Sequence, residues 1–273
     1  MDTTRLSTTL LSIYRTAQDR EITFLAAGFA YYAFVSLIPM VLLALVVGSL
    51  LGGEDVAERL VLVTGDFLPP AGEELVAEAL ATESGRSQAT VVALAVAAWG
   101  ALKVFRGLSR AFDMVYGEAA ENTFLDELRD GITVILAGTG ALALMIVIGA
   151  MLGIAADVIP LAGLTSWITL LVGLVLVFLP IYYVLPPISV TVREILPGTV
   201  VAAVGWTILQ VGFQLYAANA GQYAAYGAIG VVILFVTWLY FAGILILLGA
   251  VVNVVLARPS LAEDAADVPT PLG

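Results

Sequence analysis

The apolar residues of this chain follow neither a helical nor a strand period along most of its length. They run on in long uninterrupted stretches, and the charged residues collect between them. A helix needs about 20 apolar residues to cross a hydrocarbon core of roughly 30 Å. Stretches of that kind are expected at about 24–51, 87–105, 131–154, 164–185, 195–218 and 228–256, which predicts an all-α polytopic membrane protein, a bundle of six transmembrane helices. A β-barrel would instead alternate apolar and polar positions over short segments of about ten residues.

The spans differ in character. The first, Phe24 to Leu51, holds 28 uncharged residues, roughly 42 Å of helix, so it must tilt, bend or protrude, and Pro39 in its middle offers a kink. The second is the shortest apolar run and ends at Lys103, whose long stem can snorkel to the interface. Beyond it, KVFRGLSRAFDMVYG sets Val104, Leu108, Ala111 and Val115 on one face and Lys103, Arg106 and Arg110 on another, the pattern of a short amphipathic interfacial helix. The fourth closes on IYYVLPP, with aromatic rings suited to the headgroup level and prolines that stop the helix.

Between the spans, residues 52–86 form an acidic loop interrupted by Pro69 and Pro70, with short amphipathic helices on either side. Residues 1–23 read as a polar N-terminal segment without a cleavable signal, and 258–273 as an acidic tail. With the N-terminus in the cytoplasm, the inner segments carry Arg5, Arg15, Arg20, Lys103, Arg106, Arg110, Arg129, Arg193 and Arg258, whereas the outer ones carry Arg59 and Arg86. Basic residues favour the cytoplasmic side, so both termini are expected inside a plasma membrane.

Composition narrows the chemistry. In 273 residues there is no cysteine and no histidine, which excludes thiolate nucleophiles, imidazole bases and Cys- or His-ligated metals; no cofactor or metal is expected. The net charge is −11 and ten of the eleven basic residues are arginine, a balance suited to a halophile and opposed to nucleic acid as a partner.

No span has an acid or base at its centre, so the neutral polar residues at membrane depth are the candidates. Trp206, Gln210 and Gln214 recur every four residues on span five; they either bond to neighbouring helices or line a cavity. Tyr32 and Ser36 form a comparable pair ahead of Pro39. Lys103, Arg106 and Arg110 make a basic stripe that can hold lipid phosphates or simply obey topology. The uncharged segment YAANAGQYAAYG, with Tyr216 and Tyr223, reads as an aromatic belt or a re-entrant lid. Gly138, Gly140, Gly243 and Gly249 read as sites of close helix packing.

Three segments together resemble the YihY/BrkB family of inner-membrane envelope proteins: AAGFAYYAFVSLIPMVLLAL, RGLSRAFDMVYG, and the tract from VREILPGTVVAAVGWTILQVGFQLYAANAG through YGAIGVVILFVTWLYFAGILILLGAVVN. The resemblance implies six helices and a part in envelope integrity, with some members connected to movement of lipid or lipopolysaccharide and others once labelled ribonucleases. It places Tyr31, Tyr32, Ser36, Pro39, Arg106, Arg193, Gly198, Tyr216, Tyr223, Gly227, Trp238 and Gly249 at the family's motif positions. The expected function is therefore non-enzymatic: binding or translocating a lipid or other amphipathic molecule, with membrane lipids as partners. A structural scaffold, homo-oligomeric or holding other envelope proteins, is the alternative. A membrane-embedded hydrolase using acids such as Asp126 and Asp130 is a third reading.

Overall fold

The computed structural model describes residues 3–37, 83–118, 123–154, 162–218 and 227–258. Among these, every regular element is a helix: α1 (Thr3–Asp19), α2 (Ile22–Leu37), α3 (Glu83–Tyr116), α4 (Phe124–Ile154), α5 (Ala162–Val184), α6 (Val192–Ala218) and α7 (Gly227–Ala257). Four stretches are long and apolar enough to cross a membrane: Leu125–Ile148, Trp167–Val184, Val192–Tyr216 and Val232–Ala257. They overlap the stretches expected for spans three to six. Pro39, the second half of span one, most of the acidic loop, Tyr223 and the tail lie outside the described residues.

The chain divides into two compact units, Met1–Ala30 with Leu108–Gly273, and Tyr31–Gly107. In the larger unit α4 packs on α5, α5 on α6, α6 on α7, and α1 on α7. Helix α7 is central: 61% of its apolar stretch is buried inside the protein, against 6% for that of α4. A helix apolar on every side belongs in such a place, because no face of it prefers water.

Burial is greatest where α3 ends, α5 ends, α6 begins and α7 ends. Phe112, Val115 and Tyr116, then Tyr182 and Leu185, then Ile195 and Thr199, and finally Leu247, Ala250, Val251 and Val254 make this core. The loops at this end are built for precision. Thr191 caps α6, its amide and hydroxyl donating to Glu194 Oε2 at 2.7 and 3.0 Å, and Thr123 caps α4 through Asp126 Oδ2, with the Asp126 amide donating back to its hydroxyl at 3.4 Å.

Two expectations change. The segment after span two is not a separate interfacial helix: α3 runs unbroken for 34 residues. Nothing between Lys103 and Tyr116 breaks a helix, and the first true stop is Gly117, whose φ of 73° takes a conformation that favours glycine and whose amide donates to the Asp113 carbonyl at 2.9 Å. The amphipathic pattern itself is real, with Leu108, Ala111 and Val115 buried and Arg110 exposed. The N-terminal segment, read as polar and without a cleavable signal, forms α1. It ends in a turn at Arg20–Glu21, where Glu21 takes a φ of 49° and its carbonyl accepts the first amides of the next helix, from Phe24 and Leu25.

Candidate basic and aromatic site

In the smaller unit, α2 and α3 bring together several of the expected residues. Tyr31 and Tyr32 are both exposed, their rings meeting edge to face at 5.4 Å between centroids. The Tyr32 ring lies over Gly107, where an added Cβ would stand 3.3 Å from it. Gly107 thus makes room for the ring beside Arg106. One turn earlier, Lys103 is exposed and its Nζ sits 5.7 Å from the centroid of the Trp99 ring, a cation–π arrangement that orients the ammonium without neutralising it. Ser36 is buried, and its hydroxyl donates to the Ala33 carbonyl of its own helix at 2.8 Å. Trp99 was absent from the expected set, although its i, i+4 spacing to Lys103 marks it.

Arg110, in the larger unit, is exposed one turn further along α3, and Arg193 is exposed in the first turn of α6. Arg193 precedes Glu194, whose carboxylate pairs with Arg258 at 3.1 Å; Arg258 also donates to the Ser189 carbonyl at 3.3 Å. The pair fastens the start of α6 to the end of α7. Buried Tyr116 feels it: its phenol is pushed up to about 12, first by burial, then by the Glu194 carboxylate, with Arg258 opposing.

The candidates on span five separate in space. Trp206 turns inward, into an aromatic cluster with Phe178 at 5.4 Å and Trp238 at 5.2 Å, and Trp238 in turn meets Phe213 and Phe235. Gln210 and Gln214 are exposed, as is Tyr216. A step of four residues advances about 40° around a helix, so two steps carry the face about 80° away from the tryptophan. Two clefts open elsewhere in the larger unit. One, of about 610 Å³, lies between α1 and α2 and is lined by Tyr14, Ala17, Gln18, Glu21, Ile22, Thr23 and Phe24. The other, of about 390 Å³, involves Arg20, Asp113 and Gly117. Neither is lined by Trp206, Gln210 or Gln214.

The glycines at family positions have a structural explanation. Gly198 and Gly249 let α6 and α7 touch: a Cβ on Gly249 would fall 2.6 Å from the Gly198 carbonyl oxygen and against the Tyr182 hydroxyl. Tyr182 donates to the Ile246 carbonyl at 2.7 Å, and Asn253 Oδ1 accepts the Gly198 amide at 2.7 Å. Gly138 and Gly140 have open space around them, whereas Gly243 lies against Ala26 and Phe29 of α2. Gly227 is the first residue of α7. Among the described residues no group of three or more acidic side chains is placed to hold a metal ion.

A chain whose described residues hold four helices long and apolar enough to cross a membrane is a multi-pass membrane protein. Residues 13–270 match the family described as Virulence factor BrkB, and the chain belongs to that family. A UPF0761 membrane protein of Pseudoalteromonas translucida is 24% identical over 92% of this chain and 86% of its own length. A UPF0761 membrane protein of Halorhodospira halophila is 27% identical over 84% of this chain, which spans 52% of that relative. The putative ribonuclease-like protein YfkH of Bacillus subtilis is 36% identical over 33% of this chain and 34% of its own length. No solved structure matches.

Proposed function

We propose that this protein is a non-enzymatic, six-span plasma-membrane protein with both termini in the cytoplasm, and that it binds anionic lipid headgroups and moves lipid or a similar amphipathic molecule. The observation that carries this reading is the exposed set on α2 and α3: Tyr31, Tyr32, Trp99 and Lys103, with Arg106 beside the Tyr32 ring. Aromatic rings with a polar edge settle at the headgroup level, and a Lys held over an indole presents its charge to phosphate there. The orientation is supported by Arg20, Arg193 and Arg258, which stand at or beside helix ends carrying the buried core. The test is lipid movement by the purified protein in liposomes. Transfer of labelled anionic lipid between leaflets, reduced by Lys103→Ala with Arg106→Ala, supports the reading; folded, lipid-bound protein that moves no lipid contradicts it.

A scaffold is the second reading, and the exposure of Gln210 and Gln214 favours it. Side-chain amides facing hydrocarbon carry a desolvation cost that a partner helix would remove. If Gln210→Leu with Gln214→Leu dissolves a complex and leaves lipid binding intact, the scaffold gains.

A further inference from the structure

Helix α1 exposes large apolar side chains on its outer face. The side that packs on the protein carries Ser12, Ile13, Thr16 and Ala17, with Thr16 only 3% exposed. The outward side carries Leu10, Leu11 and Tyr14, which are 58%, 47% and 59% exposed, together with Ser7, Arg15 and Gln18. Beyond the tight turn at Arg20–Glu21, Phe24 is 73% exposed and, like Tyr14, lines the cleft of about 610 Å³ between α1 and α2. That cleft has an apolar share in Tyr14, Ile22 and Phe24 and a polar share in Gln18, Glu21 and Thr23. Tyr14 Oη accepts from Gln18 Nε2 at 2.8 Å, which leaves its hydroxyl proton available to donate.

We infer that α1 lies within the membrane interface, with Leu10, Leu11, Tyr14 and Phe24 immersed at the boundary of headgroups and acyl chains and Arg15 reaching a lipid phosphate. The occupant of this surface is a lipid leaflet. Only Arg20 and Glu21 separate α1 from α2, which is itself apolar, so the exposed row on α1 runs directly into the segment expected to begin the first span. Water on this face would leave three large side chains and Phe24 with much of their apolar surface hydrated, which a leaflet would remove. A mixed boundary of apolar and hydrogen-bonding groups suits both the row and the cleft, and an interfacial amphipathic helix has this build. The helix thus anchors the protein at the membrane surface independently of the basic and aromatic site.

The chain has no cysteine, so single substitutions label one position each. Leu11→Cys, Phe24→Cys and the inward control Thr16→Cys, spin-labelled in the full-length protein and reconstituted in phosphatidylcholine–phosphatidylglycerol vesicles, report exposure to oxygen and to a water-soluble nickel chelate. Leu11 and Phe24 are exposed, so labels there leave the packing intact, and tryptophan emission verifies the fold. The expected result is oxygen accessibility several-fold above nickel accessibility at 11 and 24. Nickel accessibility dominating at both would place the face in water and overturn the inference. Spin–spin broadening that disappears on dilution with unlabelled protein would assign the face to a second copy and overturn it equally.

Discussion

The backbone amide of Gly198 donates to the side-chain oxygen of Asn253 at 2.7 Å, fastening α6 to α7 where Gly198 and Gly249 let their backbones meet. The bond has a cause in the sequence. Pro197 lacks an amide and crowds the helix turn before it, so regular bonding is disturbed at this place in α6. Asn253, 2% exposed, supplies an acceptor from the neighbouring helix. Replacing Asn253 by leucine is expected to lower unfolding stability by about 1–3 kcal/mol, the cost of leaving a buried donor without its partner. Thermal unfolding in detergent measures it; an unchanged midpoint would show that the bond is dispensable.

Glycine positions divide into two kinds that the same measurement separates. At Gly198 a Cβ would strike the Gly249 carbonyl and lie 2.6 Å from Asn253 Cγ, and backbone cannot give way cheaply. Gly198→Ala is expected to destabilise by about 1–3 kcal/mol. Gly212, in the same helix, has nothing within 4 Å of an added Cβ, so Gly212→Ala is expected to be neutral or to stabilise by about 0.5–1 kcal/mol. Equal effects at the two sites would contradict the packing described.

Tyr116 gives a pH signature. Its phenol titrates at about 12, raised chiefly by burial and then by Glu194, so the folded state favours the neutral form. The contribution to stability is whole below the ordinary value near 10 and is lost as pH rises through the folded value. In an absorbance titration, wild type minus Tyr116→Phe should leave one phenol ionising near 12, whereas a difference curve centred near 10 would mean that Tyr116 is exposed.

The all-helical class and four of the spans were legible because long apolar runs answer to one physical demand, the width of the hydrocarbon core. Short-range devices were less visible. Thr191 and Glu194 spell a capping box, yet hydropathy alone passes over it, and α1 hides because its apolar residues, Leu6, Leu10, Leu11, Ile13, Tyr14 and Ala17, are interrupted by polar ones and too few to read as a span. The basic stripe Lys103, Arg106 and Arg110 was readable from helical spacing, but its neighbours were not, since Tyr32 approaches Gly107 from a distant part of the chain. On span five the reverse happened. Trp206, Gln210 and Gln214 look equivalent in a four-residue repeat, while the drift of the helix sends one into an aromatic cluster and leaves the amides exposed.

Trp99 offers a graded test of the site. Trp99→Leu keeps an apolar body and removes the face over which Lys103 sits at 5.7 Å. Anionic-lipid affinity is expected to fall by about two- to fivefold, consistent with an exposed cation–π contact worth about 0.5–1 kcal/mol. Fluorescence-detected titration with phosphatidylglycerol checks it; unchanged affinity would remove Trp99 from the site.

The most direct test of lipid binding is native mass spectrometry with lipid identification, on protein extracted from its own membranes, comparing wild type with a Lys103→Ala, Arg106→Ala, Arg110→Ala variant. A selectively retained anionic lipid on the wild type, lost from the folded variant, is the predicted result. Bulk membrane lipid on both, in the same proportions, would contradict the account.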